Sequence, residues 1–396
     1  MNKYIYKTPD GTRDFLFEEC DVQNRIHSRL SALFTGRGYH QVITPVLEHF
    51  DLFSMPSAGL SQEEMYKLSA HNGHLVVLRP DTTMPIARLV STRLKDAPLP
   101  IRLYYTQKVF RVHPDYKGRN NEVTQSGIEL IGAPGLTADV EIIHTAARAL
   151  EAVGIQKYKI EIGHAGVFKA LCAELDAGED DKEMIRLAIE SKSYSTLEKI
   201  LSAMPESRAV TALKILPRLF GGAETLDTAA ELFGDIAREE LSYLRTLIDT
   251  LSPELGSKIT VDLGLVHRNN YYTGVVFRAY ANGSGDTAVS GGRYDTLFGE
   301  FGKNLPAVGF AVDQNVLSDI LLMDYAPEQV QEKHLVYPEN GYIMQALALI
   351  DALSEKGATC ELMDIAELET AKTAAMERGA AYIDVVGASV RTEHFV

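Results

Sequence analysis

Carboxylates, a guanidinium and phenols recur at a few places along this chain of 396 residues. Asp81 and Thr83 lie in Leu78-Arg79-Pro80-Asp81-Thr82-Thr83, Arg111 opens Arg111-Val112-His113-Pro114, and Gln125-Ser126-Gly127-Ile128-Glu129 follows. Tyr271, Tyr272 and Tyr294 add phenols further on. Such a set could hold an amino acid, which needs an anion for its ammonium group, an acceptor for any ring N–H and a shaped aromatic wall. A guanidinium beside it could bind phosphate bidentately. The sequence has no Walker A stretch, H-E-x-x-H metal motif, G-x-S-x-G elbow or complete dinucleotide fingerprint.

These residues need a scaffold. A single hydrophobic core stops growing at roughly 250 to 300 residues, so two or three domains are expected. Hydrophobic residues make up 45% and charged residues 23%, near the globular average, and no apolar run of about 18 residues could span a bilayer. The start, Met1-Asn2-Lys3-Tyr4-Ile5-Tyr6-Lys7, lacks a signal-peptide core, which predicts a soluble, cytoplasmic protein. Cys20, Cys172 and Cys360 are far apart, which predicts small buried hydrophobes in a reducing compartment rather than disulfides or zinc. A net charge of -15 argues against a surface devoted to phosphate backbones.

Apolar spacing predicts a helix over 14–36, with Val22, Ile26, Leu30, Leu33 and Phe34 as its inner face and Gly36-Arg37-Gly38 as its stop. A strand over 41–47 ends around Pro45. Short strands at 74–78, 103–105 and 108–112 predict an antiparallel sheet within 74–132, followed by a helix over 139–153 and a strand over 158–162. Residues from about 166 to 256 read as a helical insertion, with Glu179-Asp180-Asp181 as a solvated loop. Strands return at 259–263, 271–277 and 308–312, with a hairpin turn at Asn282-Gly283-Ser284-Gly285 and a helix over 314–323. Gly291-Gly292 reads as a tight backbone turn, and His164, His334 and His394 as surface or satisfied core residues. Beyond a linker at 324–332 the tail alternates strand and helix as a small β-α-β-α-β unit. The expected class is α+β: a core over 1–323 with the insertion, and a small α/β domain over 333–396.

In this order, Pro9-Asp10-Gly11-Thr12-Arg13-Asp14, the segment ending at Pro45, Leu78 to Thr83, Phe110-Arg111 to Gly132, Leu265 to Gly274 and Gly291-Gly292-Arg293-Tyr294-Asp295 resemble the class II aminoacyl-tRNA synthetases, specifically the histidyl-tRNA synthetase group. The resemblance covers most of residues 8 to 323, and the tail looks like a shortened anticodon-binding domain. It implies an antiparallel sheet with flanking helices and a homodimer formed through the helix and strand around residues 14–47.

The same resemblance places Arg111 opposite the α-phosphate of ATP, yet thins out the other cations. His113 stands where the family has a glutamate, Asn121 where it has its second motif 2 arginine, and Val316 where it has its motif 3 arginine. In Leu265-Val266-His267-Arg268-Asn269-Asn270-Tyr271-Tyr272, His267 takes the place of the catalytic arginine. Arg268 is one residue away, and on a strand that shift reverses its face. Each phosphate-binding arginine contributes about 2 to 4 kcal/mol in the transition state, so three losses predict no useful adenylate formation.

The amino-acid half is better kept. By resemblance, Asp81, Thr83 and Gln125 surround the α-amino group, Glu129 and Tyr272 face the imidazole, and Tyr294 belongs to the wall; Arg111 and Tyr271 complete the candidate set. Unpaired buried carboxylates are costly, so Asp81 and Glu129 in an apolar sheet favour an occupied pocket over core residues left from ancestry.

A synthetase-like chain without activation chemistry is similar to the regulatory-subunit family of ATP phosphoribosyltransferase. That resemblance implies a catalytically inactive subunit with no cofactor or metal, with L-histidine as its allosteric ligand. Its partner would be the short-form catalytic subunit, which joins ATP to phosphoribosyl pyrophosphate in the first step of histidine biosynthesis. Two other readings are an active histidyl-tRNA synthetase, which His113, Asn121, His267 and Val316 disfavour, and an RNA or uncharged-tRNA sensor. Against the latter, residues 326–396 hold five Lys or Arg and twelve Asp or Glu, a net of -7 that would repel a phosphate backbone.

Overall fold

The computed structural model describes residues 4–113, 120–266, 271–326 and 332–395, and the chain divides into two units, Met1–Asp324 and Tyr325–Val396. The first unit is built on a long hairpin. Strands Ile101–Phe110 and Glu122–Ile131 pair antiparallel along their whole length, from Ile101 opposite Ile131 to Phe110 opposite Glu122. The sequence pattern breaks this first strand in two because Thr106 and Gln107 are polar. Thr106 shares a hydroxyl contact with Ser126, and Gln107 Oε1 accepts the Thr44 N–H at 2.9 Å and an Arg79 N–H at 2.6 Å, while the Gln107 amide nitrogen is buried with no partner among the described residues. The bonded oxygens offset most of the cost of placing these polar groups in the sheet.

Seven more strands extend the hairpin into a nine-stranded sheet. Its spatial order is His40–Gln41, Ile101–Phe110, Glu122–Ile131, Ala307–Asp313, Thr287–Arg293, Val275–Ala281, Tyr158–His164, Ile259–Asp262 and Phe220–Gly221. Pairing is antiparallel except at His40–Gln41 and between Tyr158–His164 and Ile259–Asp262. Helices Glu18–Gly36, Leu136–Ala152 and Gln314–Met323 pack together and onto this sheet through Ile26, Leu30, Phe34, Ile142, Ile143 and Leu317, all buried.

Several expected boundaries move. The first helix starts at Glu18 rather than residue 14, because Phe17 adopts a left-handed φ of 43° that a helix cannot absorb. The strand over 41–47 splits at Pro45, which cannot donate to a ladder. His40–Gln41 joins the large sheet, while Leu47–His49 pairs with Leu75–Leu78, which in turn pairs with Lys67–Ser69. Thr83–Arg93 is a helix where only sheet was expected; Pro85 lies in its first turn, where a missing N–H costs nothing. The strand near 271–277 runs instead over Val275–Ala281, and the turn after it does join an antiparallel hairpin with Thr287–Arg293. Gly291-Gly292 is not a turn but lies inside that strand: a Cβ on Gly292 would stand 2.6 Å from the Val275 carbonyl and 2.7 Å from the Tyr272 ring. Cys172 is buried, but Cys20 is exposed.

Six helices, from Ala165–Ala173 to Arg238–Leu255, occupy the predicted insertion, together with the two-residue edge strand Phe220–Gly221 that no pattern signalled. Glu179-Asp180-Asp181 is the first turn of the helix Glu179–Glu190, not a loop; carboxylates there are stabilised by the positive end of the helix dipole. A buried network ties the insertion to the sheet: Arg293 donates to Asp139 at 2.9 and 2.6 Å and to Asp295 at 3.0 Å, and Tyr243 of the last insertion helix donates to Asp139.

In the second unit, Lys333–Pro338 lies between Thr359–Leu362 and Tyr382–Val386, all parallel, and Val390–His394 adds an unexpected antiparallel edge. Helices Ile343–Ser354 and Leu368–Glu377 complete it. His334 is a satisfied core residue, 2.6 Å from Asp384 and stacked on Tyr382; His394 is exposed against the same tyrosine.

Candidate amino-acid pocket and adjoining cavity

Glu129 sits mid-strand between Leu103 and Gly309 and is only 2% exposed. A Cβ on Gly309 would run into the Glu129 carboxylate and stand 2.5 Å from the Ile128 carbonyl, so the absence of a side chain at 309 makes room for the acid. Thr83 donates its hydroxyl to Glu129 Oε1 at 2.9 Å, and Tyr294 donates to Oε2. Tyr271 hydrogen-bonds Thr83 and stacks on Tyr294, with ring centroids 5.4 Å apart and planes within 13°. Tyr272 meets Tyr271 edge-on at 4.7 Å. Burial lifts the Glu129 pKa to about 8, against the hydroxyl bonds from Tyr294 and Thr83 that favour its charged form. The pocket thus presents a carboxyl group that a cationic or N–H-bearing ligand would draw into its ionised state.

Asp81 lies beside this cluster. Its Oδ1 accepts the Met84 N–H at 2.9 Å, capping the first turn of Thr83–Arg93, so the acid also has a structural task. Burial raises its pKa, opposed by that backbone bond and by the nearby Arg111 charge. Arg79 is buried and anchors the segment, donating to the Lys108 and Thr44 carbonyls at 2.7 and 2.6 Å. Arg111 donates Nε to the Pro80 carbonyl at 2.7 Å.

A cavity of about 350 Å³ adjoins Arg111 and is lined by His113, Asn121, Gln125 and Val316, together with Asp286, Asp313 and Asp319. Asp313 caps the helix Gln314–Met323 through the Asn315 and Val316 N–H groups at 2.9 and 3.2 Å, and burial pushes its pKa up to about 6. Asp319 pairs with Arg13 at 2.8 Å. The Asn121 amide is committed to the Asp10 carbonyl at 3.1 Å and the Tyr66 hydroxyl at 2.9 Å. Three aspartates against Arg111 and the paired Arg13 make poor company for a triphosphate.

Of the sequence candidates, the structure gathers Thr83, Glu129, Tyr271, Tyr272 and Tyr294, with Asp81 and Arg111 beside them. Gln125 stands apart: it shares the strand face of Glu129 but lies four residues along, roughly 13 Å, where it lines the second cavity. His267 and Arg268 lie outside the described residues. Sequence reasoning missed Gly309 and Tyr105. Tyr105 is 1% exposed, and its hydroxyl would stand 2.5 Å from a Cβ on Gly127. Glycines inside apolar strands, Gly127 and Gly309, were the available signal of such close approaches.

The nine-stranded, mostly antiparallel sheet and its Glu129-centred pocket define a protein of the class II aminoacyl-tRNA synthetase type. The histidyl-tRNA synthetase family model matches residues 11–317. The chain is 36% identical to the ATP phosphoribosyltransferase regulatory subunit of Clostridium kluyveri, over 97% of this chain and 99% of that protein. It is 38% identical to the subunit of the same name from Clostridium acetobutylicum, over 95% and 93%. A solved structure from Bacillus halodurans, described as an ATP phosphoribosyltransferase regulatory subunit/histidyl-tRNA synthetase, superposes with a TM-score of 0.85 at 28% identity, covering 98% of this chain and 100% of that one. The chain belongs to the ATP phosphoribosyltransferase regulatory subunit family, a branch of the histidyl-tRNA synthetase fold.

Proposed function

We propose that this chain is a catalytically inactive regulatory subunit that assembles with a short-form ATP phosphoribosyltransferase catalytic subunit in the cytoplasm, supports its activity in histidine biosynthesis and carries feedback by free histidine. The observation that carries this reading is the contrast within one site: Thr83 and Tyr294 converge on a buried carboxyl group, while the neighbouring cavity holds Asp286, Asp313, Asn121 and Val316. A pocket of the first kind binds an amino acid; a cavity of the second kind cannot clamp a triphosphate. Among the described residues no helix is long and apolar enough to cross a membrane.

An inert subunit raises a partner's activity only by binding its active arrangement better than the inactive one. If histidine favours the inactive arrangement, that arrangement must bind histidine more tightly. The subunit itself would be a homodimer through the region around residues 14–47. Ile43 is 76% exposed, and Val46, Leu47 and, in the adjoining small sheet, Leu68 and Leu75 are also exposed, apolar area that a second copy would cover.

Mixing the chain with the short catalytic subunit at micromolar concentration is the test. A stable complex by size-exclusion chromatography, with phosphoribosyl-ATP synthesis inhibited by histidine, is expected. No association, together with full activity of the catalytic subunit alone, would overturn the assignment.

A further inference from the structure

We propose that Lys169 is a positioning residue through which the helical insertion holds the two pocket tyrosines, so that filling the pocket and placing the first insertion helix belong to one equilibrium. The ligand half of this statement rests on the histidine reading above; the positioning half does not.

The helix Ala165–Ala173 leaves the strand Tyr158–His164 without an intervening loop. His164 accepts the Gly166 N–H at 3.1 Å and so fixes where the helix begins; burial, Lys169 and Arg293 push its pKa down to about 4, keeping it neutral and able to accept. Two bonds then run from this helix to the chain that follows the tyrosines. The Ala165 N–H donates to the Gly274 carbonyl at 2.9 Å, and Lys169 Nζ, one turn on, donates to the Tyr272 carbonyl at 2.8 Å. Main chain pinned on both sides of Thr273 leaves the Tyr272 ring little freedom beyond its own χ angles, and that ring already lies against Gly292.

Lys169 faces a cavity of about 1240 Å³, lined from the insertion by Lys169, Cys172 and Arg186 and from the core by Ser57, Thr273 and Glu300. Among the described residues no carboxylate is within ion-pair distance of Lys169, and burial lowers its pKa. Glu300 Oε1 accepts the Ser57 N–H and hydroxyl at 3.1 and 2.7 Å, while its Oε2 is buried with no partner among the described residues. An ammonium held by a neutral acceptor thus borders the same cavity as Glu300. Glu179, Asp180, Glu183 and Glu300 line the same cavity, so carboxylates compete for Lys169 when the Tyr272 carbonyl moves away. A ligand that orders Tyr272 favours the Lys169–Tyr272 arrangement, and reciprocity makes that arrangement bind the ligand more tightly.

Hydrogen exchange on the full-length chain without ligand tests the positioning. In Lys169→Met, amides within 271–280 and 165–173 should exchange at least five-fold faster than in wild type while the second unit is unchanged, and Lys169→Arg should restore near wild-type rates. Unchanged exchange at 271–280 in Lys169→Met, or an equal rise throughout the chain in both variants, would overturn it. Calorimetry with histidine tests the coupling. Lys169→Met should bind about ten-fold more weakly and Lys169→Arg within three-fold of wild type. Binding by Lys169→Met within two-fold of wild type would refute the coupling. If wild type itself gives no heat with histidine while Lys169→Met shows the local exchange increase, the histidine reading falls and the positioning role stands.

Discussion

At Glu129, two hydroxyls converge on one buried carboxyl and three tyrosines wall it in; four residues along the same strand, Gln125 looks into a cavity whose charged lining is mainly aspartate. The backbone beneath the two halves is the same regular hairpin. What differs is chemistry at the rim, where Val316 and Asn121 line the second half. Asn121 has even become scaffolding, tying Asp10 and Tyr66 together. The comparison teaches that one regular sheet can carry two neighbouring sites of opposite electrostatic character, so that function follows the side chains rather than the fold.

The strongest way to break the contrast is adenylate chemistry. If Asn121, His267 and Val316 stand where the resemblance expects phosphate-binding arginines, each worth about 2 to 4 kcal/mol non-additively, the isolated chain should show no histidine-dependent pyrophosphate exchange above background. Measurable exchange would mean the acidic cavity still handles ATP. Next comes the amino-acid half. Glu129→Ala should weaken histidine binding by roughly 1 to 3 kcal/mol in calorimetry. Gly309→Ala, which forces a methyl into the Glu129 carboxylate, should abolish binding and cost roughly 1 to 3 kcal/mol of stability in denaturant titrations.

A pH series sharpens the comparison further. Glu129 has a folded pKa of about 8, above the ordinary glutamate value, so the folded chain holds an extra proton between about pH 4.5 and 8. Its contribution is present below that window and is lost as pH rises through it. Glu129→Gln should therefore gain stability relative to wild type on going from pH 5 to pH 8, by roughly 1 to 3 kcal/mol. An unchanged difference across the series would show the carboxylate to be ionised throughout. The smallest effect belongs to the other half: Asn121→Ala should lower stability by about 1 kcal/mol through its lost bonds to Asp10 and Tyr66 and leave histidine affinity alone.

Much of this site was legible in sequence because its parts are side chains in recognisable order: Thr83, Glu129, Tyr271, Tyr272 and Tyr294 all meet. Gln125 lines the adjoining cavity beside Arg111, a separation that sequence order does not reveal. The helix Thr83–Arg93 was hidden by Pro85, which resembles a breaker but lies in a first turn that tolerates it. Gly291-Gly292 resembled a turn, whereas strand packing against Tyr272 and Val275 is what excludes side chains there. Lys169 carried no signal at all, because its bond to the Tyr272 carbonyl spans residues 103 positions apart. Local pattern reaches the elements; long-range contacts decide which of their faces meet.

The most direct test of the central claim is a pair of calorimetric titrations of the isolated chain, one with histidine and one with ATP. Saturable heat with histidine and none with ATP at millimolar concentration is the expected result. Saturable ATP binding, or silence toward histidine, would contradict a site that has kept its amino-acid half and lost its nucleotide half.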